Sequence, residues 1–214
     1  MTFEGFRPVR RTLVCTAGAR TPLETVAMEP APAAATPAPG PWRIDADHTA
    51  VRFIARHIGL AEVHGRFNRF EGTLWVAERL EDSRLDVVIE TASIDTGVRQ
   101  RDDHLRSAEF LNVAQYPYMQ FTSDRFVHRG GPRWSVQGVL NLHGVSRNVS
   151  LDTRYLGIGT GIMGETRTAC SATTELHRED FTLNWKSMIQ RGIAMIGATI
   201  RIELDIQAVP QTQN

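Results

Sequence analysis

The sequence predicts an all-β fold, an eight-stranded antiparallel barrel with one short α-helix and a disordered N-terminal tail. Three observations carry this. From Trp42 onward apolar residues recur at every second position in short runs, and Gly, Asn, Asp or Pro separates one run from the next. About eight such runs occur, with a single charged helical stretch among them. Strands with one dry face must hide it by stacking or closing, and the long runs 62–76 and 194–208 favour closure into a barrel. An eight-stranded barrel is either filled by its own side chains or holds one small ligand.

Taken in order, residues 1–41 read as the tail. MEPAPAAATPAPGP offers little apolar surface to bury. Arg10-Arg11 precedes TLVCTAGA, which carries threonines and is closed by Arg20, whereas a secretory core runs to about 7–15 apolar residues. A tail is therefore preferred to a signal. The expected compartment is the cytoplasm, with export to the periplasm or beyond as the alternative. The barrel spans 42–209. Val51, Phe53 and Ala55 alternate with Arg52 and Arg56, and Leu85, Val87 and Ile89 with Asp86 and Glu90. In RDDHLRSAEFL the pattern becomes helical. Leu105 and Phe110 are the expected buried residues, while Arg101, Asp102, Asp103, Arg106 and Glu109 can pair at three- and four-residue spacings. Pro117 then returns the chain to extended form. Trp134, Val136, Gly138, Leu140 and Leu142 make another inward face, and GIGTGIMGE (157–165) reads as a hairpin or loop. In the last run Ile196, Ala198, Ile200, Ile202, Leu204 and Ile206 point one way, and Thr199, Arg201, Glu203 and Asp205 the other. Residues 210–214 form a second tail.

Bulk properties narrow the function. The 214 residues suit one domain with added segments. The 24 Lys+Arg balance 24 Asp+Glu, which argues against a nucleic-acid partner because phosphate neutralisation calls for a basic excess. No stretch approaches the roughly 20 apolar residues of a membrane-spanning helix. Cys15 and Cys170 are the two cysteines. They form no CxxC, so structural zinc is not expected, and their number fits a reducing compartment.

Three sets of residues could carry chemistry. The seven histidines show no HExxH or comparable ligand spacing, so no metal is expected. The GxSxG, P-loop and dinucleotide fingerprints are likewise missing, and no cofactor is expected. Arg101, Asp102, Asp103, His104 and Arg106 could form an acid–base cluster, but ion pairs lacing a helix over the barrel are the preferred reading. Phe53, Phe67, Phe121, Trp134 and Trp185 lie on inward faces. Singly each reads as core, and together they could line a site for an apolar ligand.

Four segments then align in order with one known pattern. WRIDADHTAVRFIARHIGLAEVHGRFNRFEGTL carries I-D-x-x-H-T, R-H and G-x-F-x-x-F-x-G. SIDTGVRQRDDHLRSAEFLNVAQYPYMQFTS, VQGVLNLHGVSRNVSL and LHREDFTLNW follow it. Over about residues 42–208 the chain resembles the YceI-like family, lipocalin-like bacterial proteins linked to binding polyisoprenoids and related amphiphiles. The resemblance implies an extended lipocalin-like barrel, partly closed by the helix, with a long hydrophobic pocket. Carried over by motif are His48, Phe53, His57, Phe67 and Phe70, then Asp95, Arg101, Asp102, His104 and Leu105, and finally Arg178, Asp180 and Phe181.

The expected function is therefore non-enzymatic. The barrel binds, sequesters or transports a long-chain amphiphilic lipid of polyisoprenoid, isoprenoid-quinone or fatty-acyl type, in a bacterial setting that includes stress response. The lining expected is Phe53, His57, Phe67, Phe121, Trp134, Leu140, Leu142, Trp185, Ile196 and Ile200. The alternative is an isomerase or hydrolase acting on a lipophilic substrate through Arg101, Asp102 and His104. Expected partners are the long-chain lipid, a transient membrane contact and a second copy in a homodimer, with no nucleic acid.

Overall fold

The computed structural model describes residues 25–29, 35–183 and 196–211, residues 9, 10, 12 and 18, and the backbone of 189–190 and 193–194. Trp185 and most of the expected tail lie outside the described residues. The strands are β1 (Gly40–Ile44), β2 (Ala50–His57), β3 (Ala61–Phe67), β4 (Phe70–Val76), β5 (Arg84–Glu90) and β6 (Ile94–Asp95). Helix α1 (Arg99–Arg106) follows, then β7 (Tyr118–Gly130), β8 (Arg133–Leu142), β9 (Val145–Thr160) and β10 (Thr166–His177). A minimal pair, β11 (Ile189–Gln190) and β12 (Ile193–Ala194), precedes the final β13 (Ile196–Pro210).

Their registers resolve into eight antiparallel staves. β1 and β2 together form the first, because Trp42 pairs with Leu74 of β4 and Val51 with Phe67 of β3. β3 with β4 is the second stave, and β5 with β6 the third. β7, β8, β9, β10 and β13 complete a meander that closes where Trp42 meets Pro210 and Ile44 meets Ala208. Closure pairs each stave with a neighbour on both sides.

The first three staves are each interrupted, and side chains satisfy the backbone at two of the breaks. Asp45 caps the 3₁₀ turn Ala46–His48 by accepting from Asp47 N at 3.2 Å. In the turn Thr91–Ser93, Thr91 is 1% exposed; its hydroxyl donates to Tyr116 O at 2.7 Å and its amide to Pro117 O at 2.9 Å. An 8-residue helix is marginal alone. α1 is held from outside, because Arg106 donates to the carbonyls of Ala92 (2.8 Å) and Ile94 (2.6 Å).

Three details differ from the sequence reading. The helix ends at Arg106 rather than continuing to Leu111, because Ser107 adopts extended geometry and the chain turns so that Leu111 N reaches Leu105 O. Phe110 is buried as expected, but the buried residue within the helix itself is Asp102. In β13, Ala198 is exposed instead of sharing the dry face, since a bulge between Ile196 and Ile200 breaks the alternation.

Inside the barrel two glycines face aromatic rings. A Cβ on Gly65 would lie 2.2 Å from the Phe53 ring, and one on Gly138 would lie 2.9 Å from the Phe121 ring and 2.3 Å from the Thr122 carbonyl oxygen. Each ring thus occupies the space a Cβ would take. Gly138→Ala forces a backbone shift in the β7–β8 ladder and is expected to cost about 1–3 kcal/mol by urea denaturation, with the slope unchanged. An unaltered midpoint would show that the ladder gives way freely.

Candidate functional site

The barrel interior divides into two halves along its axis. On the side of α1, Phe67, Ile94, Leu111, Met119, Phe121, Leu140, Leu142, Phe181 and Leu183 belong to a buried cluster, with Phe53 and the helix's Leu105 packed against it. The cluster continues through Leu85, Val136, Leu151 and Ala172 into the wall of the other half. Phe53 and Phe67 meet with ring centres 5.6 Å apart. Toward the opposite end the inward side chains shrink. Thr153 on β9, Thr168 and Ala172 on β10, and Ala208 on β13 leave space where the other half has rings.

That space is a cavity of about 670 Å³. Leu74, Val76, Leu85, Val136, Leu151 and Ile206 form the apolar wall, with Phe126 and Trp134 nearer the opening. The hydroxyls within the wall are satisfied locally. Thr153 Oγ1 donates to Leu151 O at 3.2 Å, Thr168 Oγ1 donates to Gly157 O at 3.2 Å, and Ser83 Oγ accepts from Ala77 N at 3.1 Å. With those groups spent on the chain, the wall meets an occupant mainly with carbon, the surface an alkyl chain requires.

Polar groups gather at the mouth. His128 lines the opening, packs against Trp134 with ring centres 4.7 Å apart and planes tilted by 41°, and reaches Gly131 O at 2.9 Å. Tyr155 donates its hydroxyl to Ala35 O at 2.6 Å, and burial pushes its phenol above the ordinary value. Trp42 Nε1 donates to Ala38 O at 2.9 Å. Thr36 and Pro37, between those two anchors, line the opening. The last residues before β1 therefore run across the mouth. Outside the wall, Asp45 binds Arg167 and His48; burial opposes its charge, but the Arg167 and His48 hydrogen bonds outweigh that and hold its carboxyl below the usual range.

Cys170 also lines the cavity, and burial, with Asp205 nearby, pushes its thiol up to about 12. At pH 8 only roughly one part in ten thousand is thiolate, so alkylation should be slow. In a Cys15→Ser background, labelling of Cys170 by a small maleimide is expected to slow further when an alkyl ligand is added. Equal rates with and without ligand would place the ligand elsewhere.

Of the lining expected from sequence, Trp134 lies on this cavity. Phe67, Phe121, Leu140 and Leu142 are brought together, but in the packed half, with Phe53 beside them. His57 and Ile196 face each other at the far end of β2, and Ile200 pairs with Ala55. Sequence reasoning missed Leu151, Thr153, Thr168, Cys170, Ala172 and Ala208. The signal available was the run of small inward residues on β10.

The charged cluster on α1 borders no part of this cavity. Asp102 is 6% exposed and accepts from Thr96 N (2.9 Å) and Thr96 Oγ1 (2.6 Å). Arg101 donates to Thr96 Oγ1 (2.7 Å) and Thr96 O (2.9 Å). His104 binds Glu109 at 2.7 Å on the exposed side and sits edge-on to Phe110. The Thr96 contacts fix the loop before the helix, and those of His104 tie the helix to the turn after it.

Comparison with known proteins agrees with this architecture. Residues 42–208 match the YceI-like domain. A UPF0312 protein of Vibrio parahaemolyticus is 33% identical over 137 residues, covering 64% of this chain and 72% of that protein. One from Pectobacterium atrosepticum is 36% identical over 140 residues, covering 65% and 72%. Among solved structures, BcnA of Burkholderia cenocepacia superposes with TM-score 0.68 at 17% identity, covering 77% of this chain and 98% of BcnA. The Campylobacter jejuni YceI protein gives TM-score 0.62 at 23% identity, covering 73% and 90%. A polyisoprenoid binding domain from Saccharophagus degradans gives 0.58 at 16%, covering 79% and 98%.

Proposed function

The chain belongs to the YceI-like domain family, and on that premise we propose that it binds a single-chain amphiphile, of isoprenoid, isoprenoid-quinone or fatty-acyl type, in the half-barrel cavity. The protein sequesters or carries this lipid and performs no chemistry on it. The observation that carries the reading is a cavity of about 670 Å³ whose wall hydroxyls are already bonded to the chain. Small-molecule sites commonly span about 300–1,000 Å³, so the volume is sufficient for specific binding. The Saccharophagus fold relative, described as polyisoprenoid binding, supports the ligand class.

The packed half limits how much chain enters. Leu151 and Tyr155 both line the cavity, and four residues of strand span about 13 Å at ~3.3 Å each. The apolar end of the ligand occupies that depth, while its polar end meets His128, Tyr155 and the 35–38 segment. The test is displacement of a fluorescent fatty acid from delipidated protein by unlabelled alkyl chains of increasing length. Affinity should rise about fourfold per methylene, from ~0.8 kcal/mol each, and then level off once the cavity is full. No saturable displacement at any length would end the reading.

A further inference from the structure

One feature of the cavity end reaches past the wall. β9 outlasts its neighbour β8, whose pairing with it stops at Arg133 opposite Arg154. Beyond that point β9 stays paired with β10, which is itself held by β13 as far as Thr168 opposite Ala208. Past Thr168 the two strands run on to Thr160 opposite Thr166, so the end of their hairpin stands past the barrel rim as a ribbon. At its tip Ile162 is 103% and Met163 91% exposed, with Leu156 and Ile158 exposed lower down. Two large apolar side chains held fully in water contribute nothing to folding, and such exposure marks contact surfaces.

Charge around the ribbon is uneven. The acidic residue of the tip, Glu165, is committed: its carboxylate accepts from Met163 N at 3.0 Å and from Arg167 Nε at 2.7 Å. Arg133 and Arg154 stand opposite each other where the β8–β9 pairing ends, and exposed Arg129 lies beside the adjoining β7–β8 turn. The turn between β4 and β5, on the other side of the ring, presents exposed Glu78, Glu81 and Asp82 against one exposed arginine, Arg79, which pairs with Asp82 at 3.9 Å, so its balance is acidic. The mouth therefore has an apolar, arginine-bearing side and an acidic side facing it.

We propose that the β9–β10 tip docks the cavity end on an anionic lipid bilayer, with Ile162 and Met163 inserted among the acyl chains and the arginines toward the headgroups. Apolar anchors bordered by arginine suit such a surface, and the acidic turn sets the tilt by facing away. A second copy of the chain fits less well, because a symmetric tip-to-tip contact brings the arginine sides together. The inference goes beyond ligand binding and holds whether or not the cavity is loaded.

The full chain is to be sedimented with vesicles of phosphatidylcholine, pure or mixed with phosphatidylglycerol. It should follow the mixed vesicles, much less the pure ones, and release with salt. The pair Ile162→Asp and Met163→Asp should lower partitioning at least about tenfold, and Arg129→Glu by about fivefold or more. Fluorescent fatty-acid displacement, measured without vesicles, should be unchanged in all of these, which separates docking from cavity binding. Failure to sediment with mixed vesicles, or equal partitioning by the tip variants, would overturn the proposal. So would a dimer in size-exclusion chromatography that the tip variants split.

Discussion

Ala172→Phe is expected to remove most ligand affinity while leaving the barrel folded. Ala172 is 3% exposed and lies at the inner end of the cavity, opposite Thr153 on β9 and Leu204 on β13. A phenyl group there takes the space the ligand's apolar end would occupy. Displacing about 100 Å² of buried ligand surface, at about 25 cal/mol per Å², costs about 2.5 kcal/mol, roughly seventyfold in affinity. Overpacking strain is small because the ring enters a void of about 670 Å³ rather than a filled core. The measurement is fatty-acid displacement alongside thermal unfolding. Unchanged affinity with a folded protein would move the binding site out of this cavity.

Asp102→Ala acts at the other end and should do the reverse. Its carboxylate holds both the amide and the hydroxyl of Thr96, and Arg101 binds the same threonine through its hydroxyl and carbonyl oxygen. Removing a buried acceptor strands donors at about 1–3 kcal/mol each, so a loss of about 2–4 kcal/mol is expected. For a chain of this size that lowers Tm by roughly 5–15 °C. Below the transition, affinity for the fluorescent fatty acid should match the unaltered protein. If Asp102 were instead an acid or base acting on a bound lipid, Asp102→Asn would abolish turnover of that lipid with little change in Tm.

The fold was legible because a pleated strand imposes a period of two on whatever covers the core. Trp134, Val136, Gly138, Leu140 and Leu142 follow it without a break, and all but the half-buried Trp134 are buried. Legibility failed where geometry departs from the period. The β13 bulge at Ala198 depends on the register with β2, and the early end of α1 depends on how Ser107 and Asn112 turn the chain.

The site was harder to read, since inward-facing is not the same as cavity-facing. Phe121 and Trp134 both point inward, yet Phe121 lies over Gly138 in the packed half while Trp134 borders the opening. Which inward residues touch one another and which face a void depends on bulk at one level of the ring, summed over staves distant in sequence. Thr153, Thr168, Ala172 and Ala208 are small, and only pairing shows that they meet, Thr153 beside Ala172 and Thr168 beside Ala208. Reading large inward residues as the lining therefore picked Phe53, Phe67, Phe121, Leu140 and Leu142 of the packed cluster along with Trp134 of the cavity wall. The part of the 35–38 segment at the mouth was hidden for a different reason: its Pro/Ala composition reads as linker, while Tyr155 and Trp42 supply the bonds that hold it.

The central claim is that the cavity holds a lipid chain, and native mass spectrometry of the full chain purified without detergent tests it most directly, with organic extraction to identify what is released. The account predicts a stoichiometric single-chain amphiphile on the unaltered protein and its loss from Ala172→Phe. An adduct kept undiminished by Ala172→Phe, or unaltered protein that neither carries nor takes up any such chain on incubation with one, would contradict it.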